Sequence, residues 1–330
     1  MYIRTTPSDC PNTTHLTLIP QWQPISTLAT PERVNSIMAI SGFNSIFSPN
    51  TERYRAPSPA RNGFIKDGFT LPTLLVFGGL VQGLISLVLP ARYALLPAVF
   101  FLLRAAVLTI RDLTSPAQYS SRLGVILGRT SAAMPNDNYN PLQSDKASPF
   151  GSSPADKGIV VFHLGAQFLH PLGASAPLAK KFISQFMACH EDLLRRAKEY
   201  GCLGGTTLHG GEAESKNMIL TIYYFRDFEG LNKFAHDPLH RKAWDWYNKD
   251  FVKKSRYSHI GIFHEAFCAP AGAWETIYVN MPPVLFGAGS AAVKNEAAGE
   301  DEWVRTVVDA SSPLWRSSHS RMGKVAGGSG

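Results

Sequence analysis

Two residues that can transfer protons, His264 and Glu265, are neighbours in an apolar stretch of the sequence. Successive side chains of a β-strand point to opposite faces, so only one of the two can face a given cavity. Imidazole titrates near neutral pH, and Ile260, Ile262 and Ala266 share the His264 side of the predicted strand. His264 is therefore the first candidate for a catalytic base or anchor; the alternative is a core histidine bonded to the backbone. Glu265 is a weaker catalytic candidate, with an ion pair to an arginine as its alternative.

A second pair of histidines, His236 and His240, is spaced four residues apart. On a continuous helix this spacing would bring both side chains to one face. The intervening Asp237-Pro238 instead indicates a helix break, with a new helix starting at the proline. No third ligand stands at a fitting distance, which argues against a metal site. Both histidines remain candidates for substrate binding.

Aromatic and amide side chains supply further candidates. Trp244 and Tyr247 belong to a helix whose aromatic residues span more than one face, so some must be core and some can line a pocket. Tyr278 and Asn280 alternate on one side of a terminal strand. They could orient a substrate carbonyl or oxygen, or serve the fold alone.

These candidates all fall within an α+β domain predicted over residues 157–290. Apolar periodicity and boundary residues predict a βαββαβ order, which is the ferredoxin-like arrangement. The predicted elements are strand Ile159–Phe168, helix Leu178–Tyr200, strands Leu203–His209 and Met218–Phe225, helices Asp227–Ala235 and Leu239–Val252, and strand His259–Phe267. A further strand is expected over Trp274–Asn280.

One face of such a sheet is covered by the helices, and the other needs a partner. We therefore expect a homodimer in which two open sheet faces meet, with the ligand pocket between sheet and helices in each subunit. The terminal strand could reach the neighbouring subunit.

An apolar stretch precedes the domain. Phe69–Leu89 carries no charge over a length that can cross a bilayer as a helix, and Tyr93–Ile110 is a weaker second run because Arg104 interrupts it. Basic residues flank the pair at Lys66 and Arg111, which predicts a membrane hairpin with both ends in the cytosol. The alternative is a soluble helical hairpin packed on the domain.

The resulting domain organisation has five parts. They are an N-terminal arm (1–66), a transmembrane hairpin (67–112), a flexible linker rich in Ser, Pro, Asn and Asp (113–156), the α+β domain (157–290) and a mobile tail rich in Ala, Gly and Ser (291–330).

Composition and motifs exclude several classes. The net charge of +7 comes from scattered Lys and Arg residues, so nucleic-acid binding is not expected. The four cysteines are widely spaced, which favours reduced thiols. No glycine-rich dinucleotide motif, Walker loop, nucleophile elbow or two-histidine-one-carboxylate pattern is present, so NAD, flavin and non-haem iron are unsupported.

Three blocks of the domain resemble a known family. They are Tyr223–Asn248 (YYFRDFEGLNKFAHDPLHRKAWDWYN), Gly261–Phe267 (GIFHEAF) and Glu275–Pro283 (ETIYVNMPP). They are similar to monooxygenase-like proteins of the dimeric α/β barrel, the antibiotic-biosynthesis-monooxygenase type. Members with a hydrophobic N-terminal region are found in fungal meroterpenoid gene clusters, as in fumagillin biosynthesis. The resemblance implies oxygen insertion into a lipophilic secondary metabolite.

The expected function is a monooxygenase that hydroxylates a terpenoid or polyketide intermediate with molecular oxygen and no cofactor. The expected location is the endoplasmic reticulum membrane, with the domain facing the cytosol. A haem-dependent dehydratase or peroxidase is one alternative, because this fold hosts several chemistries and a single axial histidine leaves no spacing motif. A membrane-anchored protein that binds an intermediate without catalysis is the other.

Overall fold

The computed structural model describes residues 44–54, 69, 71–143, 147–151, 153–170, 172–210, 215, 218–253 and 259–324. Most of the predicted N-terminal arm, including Lys66, lies outside these residues. The helices, in chain order, are α1 (Leu71–Val88), α2 (Ala91–Ala94), α3 (Leu96–Thr114), α4 (Pro116–Arg122), α5 (Ala179–Arg195), α6 (Phe228–Ala235), α7 (Pro238–Trp246) and α8 (Ser318–Arg321). The strands are β1 (Ile126–Ala132), β2 (Asn138–Tyr139), β3 (Ile159–Phe168), β4 (Cys202–Gly210), β5 (Met218–Phe225), β6 (Ile260–Ala269), β7 (Tyr278–Met281), β8 (Ser290–Asn295), β9 (Glu300–Arg305) and β10 (Val307–Asp309).

The main sheet has the strand order β4-β5-β3-β6, with antiparallel pairing throughout. Together with α5 and the α6–α7 pair, this order gives the ferredoxin-like βαββαβ fold, so the predicted fold class is confirmed. Alternation along β3 places Val160, Phe162 and Leu164 in the core cluster beneath the helices. We call this side of the main sheet the helix face and the other side the open face.

Helix α5 is shorter than predicted at both ends. It begins after Leu178, whose left-handed backbone (φ 67°) is incompatible with a helical turn, and its last helical residue is Arg195. Residues 196–200 continue as turns, and Tyr200 is completely buried. The apolar stripe that predicted the helix is correct, since Cys189 and Leu193 are buried on it.

The break between α6 and α7 lies where Asp237-Pro238 predicts it. Asp227 caps α6 by accepting from the Gly230 N–H at 2.7 Å, and Asp237 caps α7 by accepting from the Leu239 N–H at 2.9 Å. Pro238 occupies the first turn of α7. After α7 the chain continues as a π-helix, Tyr247–Val252.

Two small sheets contain segments that the sequence did not predict to be packed. One has the order β10-β1-β7 and the other β2-β8-β9. Their cluster of buried residues includes Ile159, Leu203 and Tyr224 on the open face of the main sheet. The expected flexible linker and mobile tail therefore contribute strands β1, β2, β8, β9 and β10, which corrects both expectations.

The sequence did not predict this packing because the buried side chains are small. Strand β8 reads SAAVKN, a composition typical of mobile tails, yet its Ala291 and Val293 are almost completely buried. Val304 on the neighbouring strand β9 and Val308 on β10 of the other small sheet are completely buried in the same cluster. Small residues pack well between two closely spaced layers, but their composition does not distinguish that environment from solvent.

Part of the open face stays uncovered. Phe267 and Leu208 are 51% and 46% exposed there. Glu265 lies on the same face and is paired with His163 (Nδ1–Oε2 3.7 Å). Phe267 lies on edge strand β6 and Leu208 on edge strand β4, so the chain's own strands cover only part of the open face.

Helices α1 and α3 are long and apolar enough to span a membrane, and neither has a buried residue. The Gln82 side chain donates to the Ala94 carbonyl at 3.0 Å and links α1 to the turn before α3. The alternative of a soluble hairpin packed on the domain receives no support, because the apolar side chains of both helices face outward.

Candidate functional site

A row of five rings crosses the helix face from α5 to the edge strand β6. In order they are Phe186, His190, Tyr223, Phe162 and His264. Neighbouring ring centroids are separated by 6.1, 5.8, 6.3 and 5.8 Å. We call these five residues the ring row. Its two histidines stand on either side of Tyr223 and Phe162.

The centre of the ring row is a hydrogen bond between His190 Nδ1 and the Tyr223 hydroxyl at 2.6 Å. Burial lowers the pKa of His190; the charge of Glu191 opposes this to a smaller extent, and the charge of Arg53 adds to it. Burial also raises the pKa of Tyr223 far above its usual range. At neutral pH the imidazole is therefore neutral and the phenol protonated, so the pair can accept one proton at the imidazole.

Each element places its residue for a local reason. His190 follows Phe186 by four residues and thus lies one turn further along the same side of α5. Tyr223 faces the helices because β5 alternates, and it pairs with Phe162 in the antiparallel register of β3 and β5. Gly205 stands opposite Tyr223 on β4, where a Cβ would lie 2.6 Å from the phenol ring. Glycine at that position makes room for the ring.

His264 forms the outer end of the ring row. It lies opposite Leu164 of β3, points to the helix face and is exposed. Its ring contacts that of Phe162, and no hydrogen bond of its side chain is found among the described residues. The site is therefore open to solvent at the edge of β6.

His240 also lies near this end. Its ring packs on Phe234 (5.0 Å between centroids), and Nδ1 lies 3.0 Å from the Ala235 carbonyl. Burial is the largest cause of its lowered pKa, and the charge of His264 makes a smaller contribution in the same direction. The His240 side chain therefore packs against the end of α6.

Glu265 and His236 lie away from the ring row. Glu265 points to the open face, where its partner is His163 and not the predicted arginine. His236 is exposed at the end of α6, with Nδ1 2.8 Å from the Asn232 carbonyl. His236 and His240 thus bond to separate carbonyls on either side of the helix break.

The two aromatic residues predicted near α7 have different environments. Trp244 is 41% exposed and stacks on Tyr247 at 6.1 Å. Tyr247 packs in the cluster around Phe251 and Ile260, and its hydroxyl donates to the Ile260 carbonyl at 3.1 Å. Trp244 is therefore available to a ligand, whereas Tyr247 holds the end of α7 to β6.

Tyr278 and Asn280 belong to β7, in a different sheet from the ring row. Tyr278 is buried among residues on the open face, and its hydroxyl accepts from the Gly287 N–H at 3.0 Å. Asn280 has a left-handed backbone (φ 51°), and its Oδ1 accepts from the Gly128 N–H at 2.8 Å. The structure does not bring Asn280 together with His264.

His190 and Tyr223 are the two site residues that sequence reasoning missed. His190 is adjacent to Cys189, which belongs to the apolar stripe of α5. A titratable residue beside a buried stripe is the sequence signal that could have identified it. Tyr223 lay unremarked inside a predicted strand. Among the described residues, no group of three or more His, Cys, Asp or Glu side chains could hold a metal ion.

Comparison with known proteins gives a family match. The family model described as Monooxygenase af470-like matches residues 159–286. Monooxygenase af470 of Aspergillus fumigatus is 39% identical over 261 residues, which cover 79% of this chain and 90% of that protein. The likeness therefore extends well beyond the main sheet.

Solved structures give weaker matches. Aldoxime dehydratase in complex with butyraldoxime has a TM-score of 0.31 at 14% identity, over 38% of this chain and 36% of that one. SnoaB, a cofactor-independent oxygenase from Streptomyces nogalater, has a TM-score of 0.23 at 17% identity, over 33% and 90%. The strand order of the main sheet carries the fold assignment.

Proposed function

Since this chain belongs to the af470-like monooxygenases, a family of oxidoreductases, we propose that it inserts oxygen into a lipophilic intermediate of fungal secondary metabolism, a terpenoid or a polyketide. Molecular oxygen is the proposed co-substrate, and no bound cofactor is required. The helix face, along the ring row, is the proposed active site.

The observation that carries this proposal is the partly buried His190–Tyr223 hydrogen bond. A neutral imidazole held among aromatic rings can remove a proton from a weakly acidic carbon or hydroxyl group. The protonated Tyr223 can stabilise the imidazolium or donate to the oxygen that develops negative charge. His264 and Trp244, which are exposed, are proposed to contact the substrate at the open end.

The chemistry balances if the substrate supplies the electrons. Deprotonation gives a carbanion or enolate, which transfers one electron to oxygen and leaves a substrate radical and superoxide. Their recombination forms a carbon–oxygen bond, and the proton held by His190 completes a hydroperoxide. Loss of water then converts the original CH₂ carbon to C=O. A hydroxyl product would instead need two further electrons from a reductant.

The membrane hairpin supports a lipophilic substrate. Helices α1 and α3 would tether the domain to a bilayer where such compounds partition. We place the chain at the endoplasmic reticulum with the domain in the cytosol, on the basis of the basic residues that flank the hairpin. A homodimer through the uncovered part of the open face is also proposed.

The test is oxygen uptake by the purified full-length chain with enolisable terpenoid and polyketide substrates, together with product mass. We expect a colourless protein and a product that has gained one oxygen atom and lost two hydrogen atoms. Tyr223→Phe should lower turnover by about 10²-fold or more, because it removes the proton-transfer partner. Tyr247→Phe is the matched control, since it removes a hydroxyl that only bonds backbone.

Three outcomes would overturn the proposal. Equal losses in Tyr223→Phe and Tyr247→Phe would remove the ring row from catalysis. A Soret absorption band in the active protein would indicate haem chemistry. Tight substrate binding without oxygen uptake would favour the non-catalytic carrier.

A further inference from the structure

A cavity of about 780 Å³ lies between the N-terminal segment and β9, outside the proposed active site. Its lining combines aromatic rings with two arginines. The lining residues are Phe47, Ser48, Asn50, Glu52, Arg53, Tyr54, Trp303 and Arg305. This volume is typical of sites for small organic ligands. We call it the arm cavity.

The arm cavity is built on paired backbone. Asn50 and Trp303 exchange two hydrogen bonds, with N–O distances of 3.1 and 2.6 Å. Ser45 forms a bridge with Val308 on the next strand. The N-terminal segment is thus held against β9 as an added strand would be.

Arg305 is the cation at its centre. Its guanidinium carbon lies 3.8 Å from the Phe47 ring centroid and 3.9 Å from that of Tyr54. Its Nε is buried and has no hydrogen-bond partner among the residues that the structure describes. Burial lowers the pKa of Arg305, and Tyr54 only partly opposes this. Tyr54 also forms a side-chain hydrogen bond with Arg305, but the buried Nε–H remains without an acceptor among the described residues. The cation therefore gains from an added oxyanion.

Arg53 adds a second positive charge. It lies over the Trp303 ring at 5.0 Å, and its Nη1 donates to the Leu194 carbonyl of α5 at 2.6 Å. Burial raises the pKa of the Cys202 thiol to about 11, and the positive charge of Arg53 partly opposes this rise. The cavity therefore combines positive potential with apolar walls.

We propose that the arm cavity binds a lipophilic monoanion, a free organic acid whose carboxylate faces Arg305 and whose apolar body lies along Phe47, Tyr54 and Trp303. A guanidinium edge matches a carboxylate in shape and charge. The carboxyl group of Glu52 also lines the cavity and would repel a doubly charged phosphate more strongly than a singly charged carboxylate. This site is separate from the ring row and does not depend on the proposed reaction.

The test uses the full-length chain in phosphatidylcholine nanodiscs with dansyl-labelled undecanoic acid as a fluorescent probe. We expect saturable binding of the acid and at least about tenfold weaker binding of its methyl ester. Arg305→Gln should weaken binding of the acid by a similar factor. Arg316→Gln, which removes an exposed arginine elsewhere, should leave it unchanged.

Glu52→Gln guards against misfolding as an explanation, because it should tighten binding by removing a repulsive charge. Equal binding of acid and ester, or unchanged binding in both Arg305→Gln and Glu52→Gln, would overturn the proposal. Displacement of the probe in discs that contain phosphatidylglycerol would assign the cavity to a lipid headgroup and overturn a free acid as its occupant.

Discussion

At the scale of single residues, His190 and His240 are kept neutral by their surroundings. His190 lies among Phe186, Tyr223 and the body of α5, and His240 lies on Phe234. Burial is the largest cause of the lowered pKa in both. A base of this kind is unprotonated at the pH of the cytosol and therefore ready to accept a proton.

The same burial predicts a pH dependence of stability. The folded pKa of each histidine lies below the ordinary value of about 6.5. Just below pH 6.5 the unfolded chain therefore binds more protons than the folded chain does. The stability contributed by the two neutral histidines is fully present above that pH and is lost as the pH falls through their folded-state pKa values. The slope is at most about 1.4 kcal/mol per pH unit for each histidine. Thermal unfolding between pH 7.5 and about 5 measures it.

Neighbouring charges modify this dependence without reversing it. Glu191 opposes the lowering at His190 while Arg53 adds to it; Asp237 opposes it at His240 while Arg241 and His264 add to it. The double variant His190→Gln, His240→Gln should flatten the loss between pH 6.5 and 5, whereas the exposed His236→Gln should not. A double variant that keeps the original slope would contradict this assignment.

At the scale of elements, the joint between α6 and α7 is tied to the end of α5 through one carboxylate. Asp237 caps α7 and also accepts from Arg196 Nη1 at 2.7 Å and from the Tyr200 hydroxyl at 2.8 Å. Burial tends to raise the pKa of Asp237, but these hydrogen bonds outweigh it and lower the pKa overall. The carboxylate thus fixes α7, which carries His240 and Trp244, relative to the helix that carries His190.

Asp237→Ala should therefore lower the free energy of unfolding by about 2 to 3 kcal/mol. About 1 kcal/mol comes from the lost helix cap, and the rest from the buried Tyr200 hydroxyl left without its acceptor. Asp227→Ala, which removes only the cap of α6, should lower it by about 1 kcal/mol. Chemical denaturation in detergent compares the two, and equal losses would show that Asp237 acts as a cap alone.

At the scale of the whole molecule, the chain covers part of its own open face. Strands from the predicted linker and tail pack on Ile159, Leu203 and Tyr224. Phe267 on edge strand β6 and Leu208 on edge strand β4 remain exposed. A dimer through this face would use a smaller contact area than a completely open sheet offers, so its stability should depend strongly on single residues.

Phe267→Glu should dissociate such a dimer, because it places a charge within the proposed apolar contact. We expect the dissociation constant measured by sedimentation in detergent to rise by at least about tenfold. Leu314→Glu is the matched control, since Leu314 is 59% exposed in a turn outside the main sheet. A wild-type chain that sediments as a monomer at all concentrations would rule out the dimer.

Orientation across the membrane can be measured with Cys268. This thiol is exposed, whereas Cys189 and Cys202 are buried, so a maleimide should react selectively with Cys268 in a Cys10→Ser background. In intact microsomes a membrane-impermeant maleimide should label it without detergent, because the domain is proposed to face the cytosol. Cys268→Ser should abolish the label. Labelling that requires detergent would place the domain in the lumen.

Much of the fold could be predicted from local patterns. The limits of β3 and β5, the Asp237-Pro238 break and the apolar character of α1 follow from periodicity, capping and composition, which depend on residues close together in the chain. The side of β6 that carries His264 also follows from alternation, because strand geometry leaves two choices and the apolar neighbours select one. The sequence by itself determined these features.

Only the tertiary structure decided which distant residues are in contact. His190 and Tyr223 are 33 positions apart, and their 2.6 Å contact depends on how α5 lies over β5. The burial of β8 depends on its packing against β9 and the open face, which its small residues do not reveal. Long-range contacts are set by register and packing between elements, and these depend on all the surfaces at once. For this reason His264 was found in the sequence, and the hydrogen bond proposed to do the chemistry was found in the structure.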